Sequence, residues 1–153
     1  MRISLLAQQP QLFDAVAHML HREWSDLPNW RDTNLIFQRL QTRNAAGTKT
    51  LTLVAIGANG GLMATASIIH YELVDIVARE FWLGEVIISA EHRGKGVASA
   101  LVTRLTDEAR QRGISTLWLY TPDQQALYRR FGWQDVEKRV VADEEVTVMK
   151  LAL

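Results

Sequence analysis

Between Glu91 and Leu105 the chain reads EHRGKGVASALVTRL, two glycines set among basic residues and followed by Ala98, Leu101, Val102 and Leu105 at helical spacing. The apolar, β-branched FWLGEVIIS just upstream reads as a buried strand, so the glycines join a strand to a helix. The first N–H groups of a helix have no partner inside it, and the positive end of the helix dipole adds to their attraction for an anion. Glycine lets the backbone approach phosphate oxygens without an intervening Cβ, and Arg93 and Lys95 bring charge. The chemistry this stretch suits is the seating of a phosphorylated ligand. A tight strand-to-helix turn with solvated charges is the plainer alternative. A P-loop is excluded, because no Gly-x-x-x-x-Gly-Lys-Ser/Thr occurs. Gly94, Gly96 and the later Asp123 partly match a dinucleotide fingerprint, but Ser99 takes the third small position and the elements upstream form an antiparallel hairpin.

Composition narrows the remaining chemistry. The chain has 153 residues, 48% of them hydrophobic, and a formal net charge of zero, which gives no reason to expect a nucleic-acid or membrane-surface partner. No apolar run near the start suits a signal sequence and none later reaches membrane-spanning length, so a cytoplasmic protein, monomeric or homodimeric, is expected. The absence of cysteine excludes disulfides, thiolate metal sites and a cysteine-borne intermediate. His18, His21, His70 and His92 include no H-x-x-x-H pair, and surface or capping roles suit them better than metal binding.

The elements that must position the glycine turn follow from periodicity. Residues 2–6 read as a strand, and the segment after Pro10, QLFDAVAHMLHREW, reads as a helix. SDLPNW is a loop, and DTNLIFQRLQTR is a second helix behind an Asp32 cap. TLTLVAIG and LMATASIIHYEL are strands joined by the turn signal ANGG. After the link VDIVARE come strand 81–89, a helix over about 96–112 closed by Gly113, strand ISTLWLY, a short helix from Asp123 to Phe131 stopped at Gly132, and a final pair, WQDVEKRVV and VTVMKLAL. The order β-α-α-β-β-β-α-β-α-β-β predicts a single α/β domain over residues 1–153, a mixed central sheet flanked by helices. Its right-handed crossover from strand 81–89 to strand 114–120 puts the glycine turn at a strand's carboxyl end, where open α/β sheets bind ligands.

Arg93-Gly94-Lys95-Gly96-Val97-Ala98 fits Arg/Gln-x-x-Gly-x-Gly/Ala, and TPDQQALYRRFGW resembles Asn-x-x-Ala-x-x-Leu-Tyr-x-x-x-Gly-Phe with Leu127, Tyr128, Gly132 and Trp133 in register. On these motifs, within residues 81–134, and on its element order, the chain resembles the GNAT superfamily of N-acetyltransferases. Two positions depart from the pattern, Thr121 in place of Asn and Gln124 in place of Ala. The resemblance implies acetyl-CoA as cosubstrate and an amine as acceptor. It assigns the pyrophosphate to the amides of Arg93, Gly94, Lys95, Gly96, Val97 and Ala98, with Ser99 close by, and the pantetheine arm to the strand edge at Val86, Ile87 and Ile88. Thr121 stands at the remaining cofactor position.

Acetyl transfer to an amine needs a base for the ammonium, a donor to the thioester carbonyl and a proton for the departing sulfur. Glu85, a carboxylate inside an apolar strand and at a position where several relatives carry a catalytic Glu, is the candidate base. It reads equally as a carboxylate on a solvated strand face or paired with an arginine. Tyr128 is the candidate donor to sulfur, with a packed aromatic as the alternative, and a backbone N–H near Ile88 is expected to serve the carbonyl. The first two helices, the 71–80 link and the final hairpin should recognise the acceptor. Trp24, Trp30 and Trp82 could line a slot or pack in the core, and Asp26, Asp32, Glu72, Asp75 and Glu80 could attract a cation or lie in solvent. The site residues suit an acetyltransferase; a non-catalytic acetyl-CoA-binding sensor or regulatory module is the alternative.

Overall fold

Apolar residues on both faces of the strand LTLVAI require cover on both sides, and the computed structural model, which describes residues 1–153, supplies it. The strands are β1 (Arg2–Leu5), β2 (Leu51–Ile56), β3 (Leu62–His70), β4 (Phe81–Ile88), β5 (Thr116–Thr121), β6 (Gln134–Val141) and β7 (Glu144–Ala152), joined in one sheet of order β1-β2-β3-β4-β5-β7-β6. The helices are α1 (Phe13–Trp24), α2 (Thr33–Arg43), α3 (Val97–Gln111) and α4 (Gln125–Arg130). On one face Val16, Leu20, Ile36 and Leu40 of α1 and α2 pack with Val54, Ile56 and Ile87. On the other, Leu101 and Leu105 of α3 and Tyr128 of α4 pack with Leu53, Leu83, Leu117 and Leu119. Alternate residues of β2 thus enter opposite cores, which is why the strand is apolar at every position but Thr52 rather than alternating. No helix is long and apolar enough to cross a membrane.

The boundaries shift where local chemistry overrides periodicity. The first turn of the helix predicted from residue 11 is a separate 3₁₀ turn at Pro10–Leu12, with α1 starting at Phe13. Asp32 caps α2 as expected, its carboxylate accepting from Asn34 N at 2.9 Å. The strand predicted to run to residue 73 stops at His70; Tyr71 takes φ +54°, and its N–H donates to Glu80 O at 2.8 Å, closing the 71–80 link on itself. The helix predicted from Asp123 begins at Gln125, because the N–H groups of Asp123 and Gln124 point back to Thr121 Oγ1 at 3.4 and 3.0 Å. β7 begins at Glu144, ahead of the predicted start.

Two irregularities of β4 shape the site. Against β3, the register runs Ser67 opposite Gly84 and then Thr65 opposite Ile87, so Glu85 and Val86 together face a single residue. This is a β-bulge, and Glu85 occupies it with φ +53°. Against its parallel neighbour β5, β4 is in register at one pair only, Trp82 with Trp118. Beyond that pair the two strands part.

Candidate active site

The glycine turn lies at the carboxyl end of β4. Gly94 and Gly96 take φ +73° and +78°, conformations that cost any other residue steric strain, and Gly96 immediately precedes α3. No backbone acceptor in the protein receives the N–H groups from Gly94 through Ser99; Ala100 is the first to bond, to Gly96 O at 3.1 Å. A Cβ placed on Gly94 or Gly96 would meet nothing within 4 Å. The result is an open cradle of unpaired donors at a helix start, which fits a pyrophosphate. The amide of Arg93 is partly engaged, with Ala90 O at 3.4 Å. Arg93 lines the cleft beside this cradle; His92, expected in a surface or capping role, and Arg130, which the sequence did not single out, line the cleft as well. Lys95 is exposed and lies outside the cleft lining.

From the cradle a cleft of about 900 Å³ runs between the splayed strands, lined by Val86, Ile87 and Ile88 on β4 and by Leu119, Tyr120 and Thr121 on β5. A parted strand edge offers backbone donors and acceptors to an extended, amide-bearing ligand, which is the chemistry of a pantetheine arm. Val97, Ala98 and Ser99 border the cradle end. Thr121 is buried at the end of β5, its hydroxyl spent on the turn into α4. Tyr128 lies in the same wall, nearly buried, its ring edge-on to Trp133 at 5.9 Å. Loss of solvent pushes its phenol up to about 12, so it keeps its proton at neutral pH.

The cleft is also lined by the carboxylates Glu23, Glu72, Glu85 and Glu144 and by Trp24, Leu27 and Trp30. Glu85 has an arginine partner, the arrangement that competed with a free base in the sequence. Arg43 of α2 donates to both its oxygens, at 2.8 and 2.9 Å, and to Ser67 Oγ at 3.2 Å. Both side chains of the pair are buried, and such a bidentate contact fixes the carboxylate in one orientation. Glu72, from the link after β3, is different. Its Oε1 accepts from the Tyr120 hydroxyl at 3.2 Å, while Oε2 is enclosed and has no hydrogen-bond partner. Burial first, and then the neighbouring Glu85 charge, raise the Glu72 carboxyl to about 7, against a smaller opposing pull from Arg43. Tyr120 is raised above the ordinary phenol range, chiefly by burial and then by Glu72.

Several sequence candidates for acceptor binding serve the scaffold instead. Trp82 is buried in the sheet and donates to Arg79 O at 2.8 Å, whereas Trp24 and Trp30 stack 5.0 Å apart at the cleft. Asp32 is a helix cap, Asp75 pairs with Arg139 at 2.9 Å, Glu80 meets His70 at 2.8 Å, and Asp26 lies outside the cleft. Arg43, Tyr120, Glu23 and Glu144 were missed. The basic end of an amphipathic helix and an aromatic in a strand carry no local sign of a distant carboxylate.

A sequence profile described as the acetyltransferase (GNAT) family matches residues 11–133. Over 86 residues the chain is 31% identical to streptothricin acetyltransferase of Streptomyces lavendulae, a stretch covering 54% of this chain and 43% of that protein. The match therefore spans less than half of that relative. The ribosomal-protein-alanine N-acetyltransferase of Brucella melitensis superposes with a TM-score of 0.81 at 20% identity, over 100% of both chains. A Salmonella typhimurium protein crystallised with its cofactor acetyl-CoA superposes with a TM-score of 0.78 at 22% identity, covering 99% of this chain and 93% of the other. At these identities the two structures share the architecture.

Proposed function

The chain belongs to the acetyltransferase (GNAT) family, and from that premise we propose that it moves the acetyl group of acetyl-CoA to a primary amine on a small, multiply charged molecule by direct attack. Acetyl-CoA is the cosubstrate. The observation that carries the reading is the continuity of the cleft, which leads from the unpaired amides of Gly94 to Ser99, past the free edge of β4 and Tyr128, to a group of carboxylates. In this reading the amides from Gly94 to Ser99, with Arg93 beside them, hold the pyrophosphate, and the β4 edge at Val86, Ile87 and Ile88 holds the arm. A backbone N–H beyond the β4 bulge polarises the thioester carbonyl. Tyr128 hydrogen-bonds to the sulfur as charge develops there. A chain without cysteine forms no acyl-cysteine, so the amine attacks the thioester itself.

The carboxylates of the cleft support an acceptor with more than one ammonium group, since Glu23, Glu72, Glu85 and Glu144 outnumber the two nearby arginines, Arg43 and Arg39. Kinship with the streptothricin enzyme points the same way. A peptide N-terminus is the second class, favoured by likeness to the ribosomal-protein enzyme. The test is release of coenzyme A thiol with streptothricin, spermidine and a peptide beginning with alanine as acceptors. Turnover with the first two well above the peptide is expected. Tight coenzyme A binding by calorimetry without thiol release from any of them would favour the non-catalytic module.

A further inference from the structure

Glu72 is the feature of the cleft that the roles above leave without a task. Its carboxylate lies close against β4, where the residue opposite has no side chain: a Cβ on Gly84 would stand 2.6 Å from Glu72 Oε2. The backbone is shaped to admit this oxygen, yet no donor reaches it. An enclosed acceptor without a partner costs free energy unless something supplies a donor. Glu72 also lines the cleft, so an ammonium N–H of the acceptor, reaching the carboxyl through a bound water or after the side chain turns toward the cleft, is a donor of the right chemistry. Glu85 is poorly placed to compete, because taking a proton would break one of its two bonds to Arg43.

We propose that Glu72, and not Glu85, takes the proton from the incoming ammonium, while the Glu85–Arg43 pair stays fixed beside it as a positioning element. The inference rests on the acetyltransferase reading above. Glu72 accepts one proton and leaves a neutral amine. The nitrogen lone pair forms the N–C bond to the acetyl carbon, and the C–S bond breaks with its electron pair on sulfur. Tyr128 passes its hydroxyl proton to that sulfur and recovers the second proton shed by nitrogen as the amide forms. Glu72 then releases its proton to solvent. The charged and titratable groups facing Glu72 are Glu85 on β4, Arg43 on α2 and Tyr120 on β5, with Glu144 acting on Tyr120.

The test compares kcat/KM against pH for the wild type, Glu72→Gln and Glu85→Gln, with acetyl-CoA and whichever of streptothricin, spermidine or the alanine peptide turns over. Glutamine keeps an oxygen for the Tyr120 hydroxyl, so a merely structural Glu72 would tolerate the change. The wild type should climb through a step centred near neutrality to a plateau above it. Glu72→Gln should lose that step and fall by about 10²-fold or more at neutral pH. Glu85→Gln should keep the step and shift it to lower pH, since it removes a negative neighbour and frees Arg43. A step that survives in Glu72→Gln, or a Glu72 carboxyl that titrates in the ordinary carboxylate range by carbon-detected NMR, overturns this inference alone. Absence of turnover with every amine overturns the acetyltransferase reading and this inference together.

Discussion

Tyr128 shows how burial sets what a side chain can do. A phenol pushed up to about 12 is a weaker acid than a thiol, so in the proposed reaction it can surrender its proton to sulfur only as another arrives from nitrogen. Tyr128→Phe keeps the ring against Trp133 and removes the relay. Turnover should fall by about 10²-fold while the calorimetric affinity for acetyl-CoA holds, and equal losses in both would make Tyr128 a packing residue. Glu72 gives a stability readout at the same scale. Its folded value of about 7 exceeds the unfolded value, so between the two the folded protein holds a proton that the unfolded chain has shed. Stability therefore declines as pH rises through that window, by about 3 kcal/mol once the buried carboxylate is fully charged. Glu72→Gln has no charge to bury. Its melting temperature should come closest to the wild type below the unfolded carboxylate's range, near about pH 4, and exceed it increasingly toward pH 8; a difference that stays flat with pH would contradict the burial argument.

At the scale of elements, the glycine turn and the start of α2 are two helix beginnings built for different ends. Asp32 satisfies a donor of α2 with its own side chain, whereas Gly96 leaves the donors of α3 unpaired. Asp32→Ala should cost about 1 kcal/mol in denaturant unfolding and leave coenzyme A binding unchanged. Gly96→Ala should cost a similar ~1 kcal/mol, because an L-residue at φ +78° is strained, and should also weaken coenzyme A about tenfold or more. The added methyl points into space that the protein leaves empty and that the ligand would fill. If calorimetry finds the alanine variant binding as tightly as the wild type, the phosphates lie elsewhere.

Across the whole molecule, the sheet is nearly divided where β4 and β5 part, with β1 to β4 on one side and β5, β7 and β6 on the other. A ligand seated between them binds the folded state alone. Coenzyme A at a hundred times its Kd should add about 2.7 kcal/mol and raise Tm by several degrees. Hydrogen exchange should slow in β4 from Glu85 to Ile88 and in the glycine turn, with little change in β1 or β2. A Tm indifferent to saturating coenzyme A would refute the seat. The sequence by itself determined the conformations that a few neighbouring residues decide: the order of strands and helices, the Asp32 cap, the glycine turn before α3, and the Leu-Tyr-x-x-x-Gly helix that follows β5. It also singled out Glu85, since one carboxylate in an apolar strand is visible locally. What it left undecided was which carboxylates are paired and which are free. Arg43 meets Glu85 across 42 positions of chain, and Tyr120 meets Glu72 across 48. Burial and charge pairing are sums over neighbours in space, and only the folded sheet, with its bulge at Glu85 and its bare Gly84, brings those neighbours together.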